Sequence, residues 1–256
     1  MKQNQSTPPV KSTETTLEII EALRSLDGGR INELADYLDQ SPSTVHRHLN
    51  TLLKHDYVTK VGDEYHLGMR VLTIAGCVQT RDSAYQLAKL KVDELAEETG
   101  EHVQFLVEEH GRRYYVHTGT GKQAVQTDCQ LGKTGYLHCT AAGKSILANL
   151  PEDYVDEIIT EHGLPSLTTN TITDEDELSD ELENIRKTEI AFNLEESKIG
   201  LNSVGTALMD PNGSVIGGLS ISGPAHRLKG ERLKTEISDL LLGVVNELEL
   251  KIKYEL

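Results

Sequence analysis

The first third of the chain carries apolar residues at helical spacing. Over residues 12–26, Leu17, Ile20 and Leu23 interleave with Ile19, Leu23 and Leu26, and Asp27, Gly28 and Gly29 end the segment. Ile31, Leu34, Ala35 and Leu38 repeat the pattern. After a break at Gln40, Ser41 followed by Pro42 reads as an N-cap and a first-turn proline. They open a third helix to Lys54, with Val45, Leu49 and Leu52 inward. The period then shortens to two. Residues 57–61 and 64–67 alternate around Gly62 and Asp63, which predicts a hairpin. Residues 69–79 form another apolar helix, and the polar gap at 80–82 marks the domain boundary.

The second part mixes both periods. Helices are expected over 84–99, 140–150, 151–162, 175–188 and 229–253. Strands are expected over 102–108, 112–118, 123–126, 190–194, 202–209 and 214–222, with a polar loop at 163–175. Helices and antiparallel hairpins in one unit predict an α+β fold. The division is a disordered tail at 1–11, a first domain at 12–68, a linking helix at 69–81 and a second domain at 82–256.

Composition narrows the class. With 256 residues the chain can bury two modest cores. The run 240–245 falls far short of the roughly 20 apolar residues a membrane helix needs, so no membrane partner is expected. The polar, proline-containing N-terminus is neither a secretory signal nor an anchor. Cys77, Cys129 and Cys139 are an odd number without a CxxC, which points to a reducing, cytoplasmic setting.

The formal charge of −16 argues at first against DNA as a partner. It is unevenly spread. Residues 1–80 carry eight basic and ten acidic side chains, and the remainder carries −14. The window 40–70 has four basic residues, three acidic ones and four histidines. An acidic bulk of this size is also what a protein of a salt-rich cytoplasm carries, where counterions screen self-repulsion.

Three short helices, a tight turn before the third and a hairpin after it match a winged helix-turn-helix. The third helix must show a polar face to a major groove while its other face holds the bundle. At 100° per residue Ser43, Thr44, Arg47, Asn50, Thr51 and Lys54 fall opposite Val45, Leu49 and Leu52. Short polar residues in the first turn, Ser43 and Thr44, suit phosphates or base edges, and the N-cap Ser41 is counted with them among the DNA-binding residues. Arg47 can read guanine or hold a phosphate. His46 and His48 flank that face, and Lys60, His66 and Arg70 can reach backbone phosphate.

These residues also look familiar as a set. Leu34-Ala35 through Ser43-Thr44-Val45-His46-Arg47-His48-Leu49 to Tyr57-Val58, with Tyr65-His66-Leu67-Gly68, resembles the DNA-binding domain of IclR-family transcription regulators. The segment from Gly135 to Lys144 resembles the family's Pro-Leu-His-x-Thr-Ala-x-Gly-Lys stretch, and Gly217 to Pro224 its closing strand. The resemblance covers about residues 12–250. It implies a GAF-like effector-binding domain with an antiparallel sheet flanked by helices, and a homodimer or homotetramer that the helix at 69–79 helps to form. By motif position it implies an effector pocket of Leu137, Ala141, Ala142, Asn193, Ser203, Ser220 and Ser222. Some members carry an acidic residue and a cysteine where this chain has Asn193 and Ser203, and Tyr136 stands where proline is usual. Loss of carboxylate and thiol weakens any metal-binding version of the pocket. Amide and hydroxyls suit a neutral polyol or a sugar acid. The partners so implied are double-stranded DNA and a small-molecule effector from a sugar or small-acid catabolic route, in a haloarchaeal-type host.

Other motifs fail on inspection. Gly132-Lys133-Thr134 and Gly143-Lys144-Ser145 lack the upstream glycine of a phosphate loop. Gly218-x-Ser220 continues as strand rather than a nucleophile elbow. No zinc spacing and no nucleophile–base pair occurs, so neither catalysis nor a cofactor is expected. An enzyme or sensor domain coupled to a protein-interaction module is the alternative reading.

Overall fold

The computed structural model describes residues 8–125 and 129–255 and divides the chain into two compact units, Met1–Gln79 and Thr80–Leu256. Residues 1–7 of the expected tail lie outside the described residues, and helix has already begun at Lys11.

In the first unit α1 (Lys11–Ser25), α2 (Ile31–Tyr37) and α3 (Pro42–Lys54) precede β1 (Val58–Val61), β2 (Glu64–Leu67) and α4 (Arg70–Gln79). The core consists of Ile19, Ala22, Leu23, Leu34, Ala35, Val45, Leu49, Leu52, Val58 and Tyr65. The helical period therefore buries the faces expected, although Leu17 and Leu26 stay exposed. Ser41 Oγ accepts the Thr44 amide at 3.1 Å, and Pro42 occupies the first turn. That cap starts α3 where a free amide would otherwise be unpaired. β1 and β2 pair antiparallel around Gly62 and Asp63, and Gly29 exchanges two backbone bonds with Tyr65.

The second unit begins with α5 (Ser83–Thr99). Its antiparallel sheet has the order β5-β4-β3-β8-β7-β6. The strands are β3 (His102–Glu109), β4 (Arg112–Thr120), β5 (Thr134–Gly135), β6 (Ala191–Leu194), β7 (Leu201–Met209) and β8 (Val215–Pro224). Helices α6 (Ala141–Asn149), α7 (Glu152–His162) and α8 (Glu175–Thr188) lie between β5 and β6, and α9 (Ser238–Glu255) closes the chain.

Strand alternation divides the core. Val103, Phe105 and Val107 of β3, with Leu219 and Ile221 of β8, pack under α5 and α9. Leu106 faces the other way, into a second cluster with α6, α7 and α8. The alternate residues Gln104, Ser220 and Ser222 share that second side. A Cβ at Gly205 would lie 2.4 Å from the Ala142 amide nitrogen, so the glycine lets α6 rest its backbone directly on the sheet.

Three expectations are corrected. Residues 123–125 are turn and irregular chain rather than strand, because the Gln123 amide donates to Gly100 O and its carbonyl accepts from Arg227 Nη2; Gln126 lies outside the described residues. The two-residue β5 is additional. The closing helix opens with a π segment, Arg232–Ile237, where Ser238 Oγ donates to Leu233 O at 2.8 Å.

Candidate functional site

On α3, Ser41, Ser43, His46, Arg47, Asn50, Thr51 and Lys54 are exposed and Thr44 is half-buried. The helix carries no acidic residue. The Ser41 hydroxyl bonds Ser43 and Thr44 at 2.9 Å each, which orients the first turn. Thr51 Oγ1 donates to the Arg47 carbonyl, and Asn50 Nδ2 meets His46 Nε2 at 3.3 Å. The Arg47 guanidinium has no partner among the described residues. His48 is the departure. It is half-buried, with Nδ1 2.8 Å from Thr16 Oγ1, so it ties α3 to α1. On the hairpin Lys60 stands over the Tyr65 ring at 5.2 Å. Arg70 stands over Tyr57 at 5.6 Å. His66 faces Glu64 at 3.8 Å. Aromatic stacking leaves both cations' charge available to an anion.

The second unit holds a cavity of about 360 Å³ on the sheet face that carries α6. Asn193, Ser203, Ser220 and Ser222 line it, as does Thr140 at the start of α6. Leu137, Ala141 and Ala142 do not reach it. They are buried in the second cluster, where Ala142 sits against Gly205 and Gly218.

Residues outside the resemblance complete the lining: Gln104, Arg113, Tyr115, Lys133 and Lys198 among them. Among the described residues no carboxylate lines the cavity, although its unit carries −14. Arg113 Nε donates to Tyr136 O at 3.0 Å, and its guanidinium lies 4.8 Å over the Tyr115 ring. Its Nη1 is buried without a partner. A Cβ at Gly135 would sit 2.6 Å from Arg113 Nη2, so that glycine makes room for the guanidinium. Burial pushes the Tyr115 hydroxyl and the Cys139 thiol upward, and both stay protonated at neutral pH.

Asn193 is occupied by its own turn. Its Oδ1 accepts from the Glu196 amide at 2.8 Å, and its Nδ2 donates to Ser197 Oγ at 2.7 Å. Behind it, the buried Lys144 ammonium donates to Glu181 and Glu196 at 2.9 Å each. Glu101, fully buried, binds Arg227 through both oxygens and Arg232 at 3.3 Å, which clamps the chain after β8 to the start of β3.

Two family models match this architecture. The model of the bacterial transcriptional regulator IclR C-terminal domain covers residues 78–248, and that of the IclR helix-turn-helix domain covers 12–62. The chain belongs to the IclR family of transcriptional regulators. It is similar to the probable HTH-type transcriptional regulator ArcR of Halobacterium salinarum, 28% identical over 95% of this chain and 94% of that protein. It is also similar to the acetate operon repressor of Salmonella typhimurium, 26% identical over 95% and 90%. The crystal structure of Thermotoga maritima IclR superimposes with a TM-score of 0.82 and 29% identity, over 95% and 99%. These relatives regulate transcription and are not enzymes. Among the described residues of this IclR-family chain, no helix is long and apolar enough to cross a membrane.

Proposed function

We propose that this IclR-family regulator binds a pseudo-palindromic operator and responds to a small metabolite. Ser41, Ser43, Thr44, His46, Arg47 and Thr51 enter the major groove, while Lys60 and Arg70 hold phosphate. The observation that carries the DNA assignment is the acid-free outer face of α3 with an uncommitted Arg47 at its centre. The chain acts in the cytoplasm as a homodimer or homotetramer. Exposed Met69, Leu72, Ile74 and Val78 on and beside α4 support a role for the 69–81 segment in assembly, since apolar side chains of this size gain from being covered.

The effector is a sugar, sugar acid or other small organic acid, taken into the cavity of the second unit. Its differential affinity for two arrangements of the DNA-binding heads moves the regulator between them. The regulated genes form a catabolic operon, a reading supported by the similarity to a repressor named for the acetate operon. A gel shift on the region upstream of the chain's own gene, repeated across a salt titration, tests the DNA assignment. Steep loss of affinity with salt is expected from phosphate contacts. Salt-independent binding, or none, refutes it.

A further inference from the structure

The cavity floor has a hydrogen-bond polarity that the resemblance did not reveal. Gln104 sits at its centre on β3, buried, between His102 on its own strand and Ser220 and Ser222 on β8. Ser220 Oγ donates to Gln104 Oε1 at 2.9 Å. Gln104 Nε2 donates to Ser222 Oγ at 2.7 Å and to His102 Nδ1 at 3.0 Å. Ser222 Oγ in turn donates to the His102 carbonyl at 3.4 Å. Both amide protons and both serine protons are thereby spent. What remains for a ligand is lone pairs on Ser220 and Ser222.

Such a floor discriminates. A carboxylate lying over it would meet acceptors with no donor. A bare methylene chain would desolvate those lone pairs and leave them unpaired, which costs more than the bonds are worth in water. Hydroxyl groups satisfy them. On the β4 side the requirement is the reverse. Arg113 lines the cavity, and its Nη1 is buried without an acceptor. A neutral polyol leaves that donor unmet. The two demands are separated by strand β3, so one ligand meets both only if it carries an anionic head and a hydroxylated chain.

We infer that the cavity takes a hydroxylated carboxylic acid of the aldonate class, with its carboxylate on Arg113, its chain hydroxyls donating to Ser220 and Ser222, and Gln104 as the residue that sets this choice. The inference rests on the effector reading above and narrows it. It makes Gln104 a specificity residue: replacing its amide frees the Ser220 proton, while that of Ser222 stays on the His102 carbonyl, and the floor then donates as well as accepts.

The test is direct binding to the full-length protein by calorimetry, without DNA. The probes are the six-carbon aldonates as a set, hexanoate (same length and charge, no hydroxyls) and hexitols (same hydroxyls, no charge). At least one aldonate should bind ten-fold or more tighter than both hexanoate and its matching hexitol. Gln104→Met should lower the aldonate-to-hexanoate affinity ratio about ten-fold, and Ser220→Ala does the same should the first variant fold poorly. Arg113→Met should bring the aldonate down to the hexitol's affinity. Hexanoate or a hexitol binding as well as every aldonate overturns the inference, as does absence of aldonate binding or an unchanged ratio in both floor variants. Aldonate binding with this discrimination but no effect on operator affinity supports the ligand class and refutes the regulatory coupling instead.

Discussion

Replacing Arg47 by alanine separates recognition from folding in a way few substitutions here can. The side chain is exposed and has no partner among the described residues, so its removal should change stability by no more than about 0.5 kcal/mol. In the proposed complex one bidentate contact from it to guanine would be worth about 1–3 kcal/mol, roughly 5- to 150-fold in affinity. Two copies on a pseudo-palindrome would double the free-energy loss. His48→Ala supplies the contrast. Its ring bonds Thr16 at 2.8 Å, so that variant should lose about 1 kcal/mol of stability. Gel shifts at one fixed salt concentration, paired with urea denaturation of the same preparations, read both quantities. An unchanged affinity for Arg47→Ala, or a loss accompanied by a matching fall in the urea midpoint, would refute the assignment of α3 as the reading helix.

Three further outcomes are expected. Ser203→Leu and Ser220→Leu each put a bulky side chain into the cavity and should abolish the effector response while DNA affinity stays normal; a retained response sinks the cavity assignment. Burial holds His102, His117 and His138 below the ordinary imidazole range, so they fold neutral. The unfolded chain then binds more protons below about pH 6.5, and stability that is full above that value drains away as pH falls toward and through the lowered values. Urea midpoints should therefore drop between about pH 7.5 and about pH 5.5, and a flat profile would contradict the burial argument. Lys144→Met strands the buried Glu196 and its neighbour Glu181, and should cost about 3 kcal/mol. Thermal or urea unfolding within about 1 kcal/mol of the parent would show that the pair is dispensable.

The helices were legible because their apolar faces were complete. Residues 175–188 have a cap at Asp174 and three buried apolar residues, and the helix occupies that span as read. The expected strand at 123–126 failed for a reason outside local pattern: distant Gly100 and Arg227 consume the backbone groups of Gln123. The π turn depends on one serine side chain reaching five residues back, which leaves no trace in apolar spacing. For the cavity, motif similarity located the β7 and β8 serines but not their partner across the sheet. Gln104 and Leu106 could have been placed by alternation along β3, since both neighbours of Gln104 are apolar. On β4 that route closes. The register slips opposite Phe105 and Leu106, and Val116 and His117 both end on the α5 side, so counting by twos from Arg113 gives the wrong face. Leu137, Ala141 and Ala142 fit the motif and are buried in the second cluster, with Ala141 and Ala142 against Gly205.

The basic side chains of the cavity wall also have a kinetic side. An anion bound there is attracted at close range by Arg113 and Lys198, but it must first cross the field of a unit whose net charge is −14. Long-range repulsion slows encounter, and mobile ions shorten its reach to about a Debye length, roughly 8 Å at 0.15 M and 3 Å at 1 M. Added salt should thus speed effector entry while it loosens the grip on DNA. The two halves of this regulator would read the ionic strength of their surroundings with opposite sign.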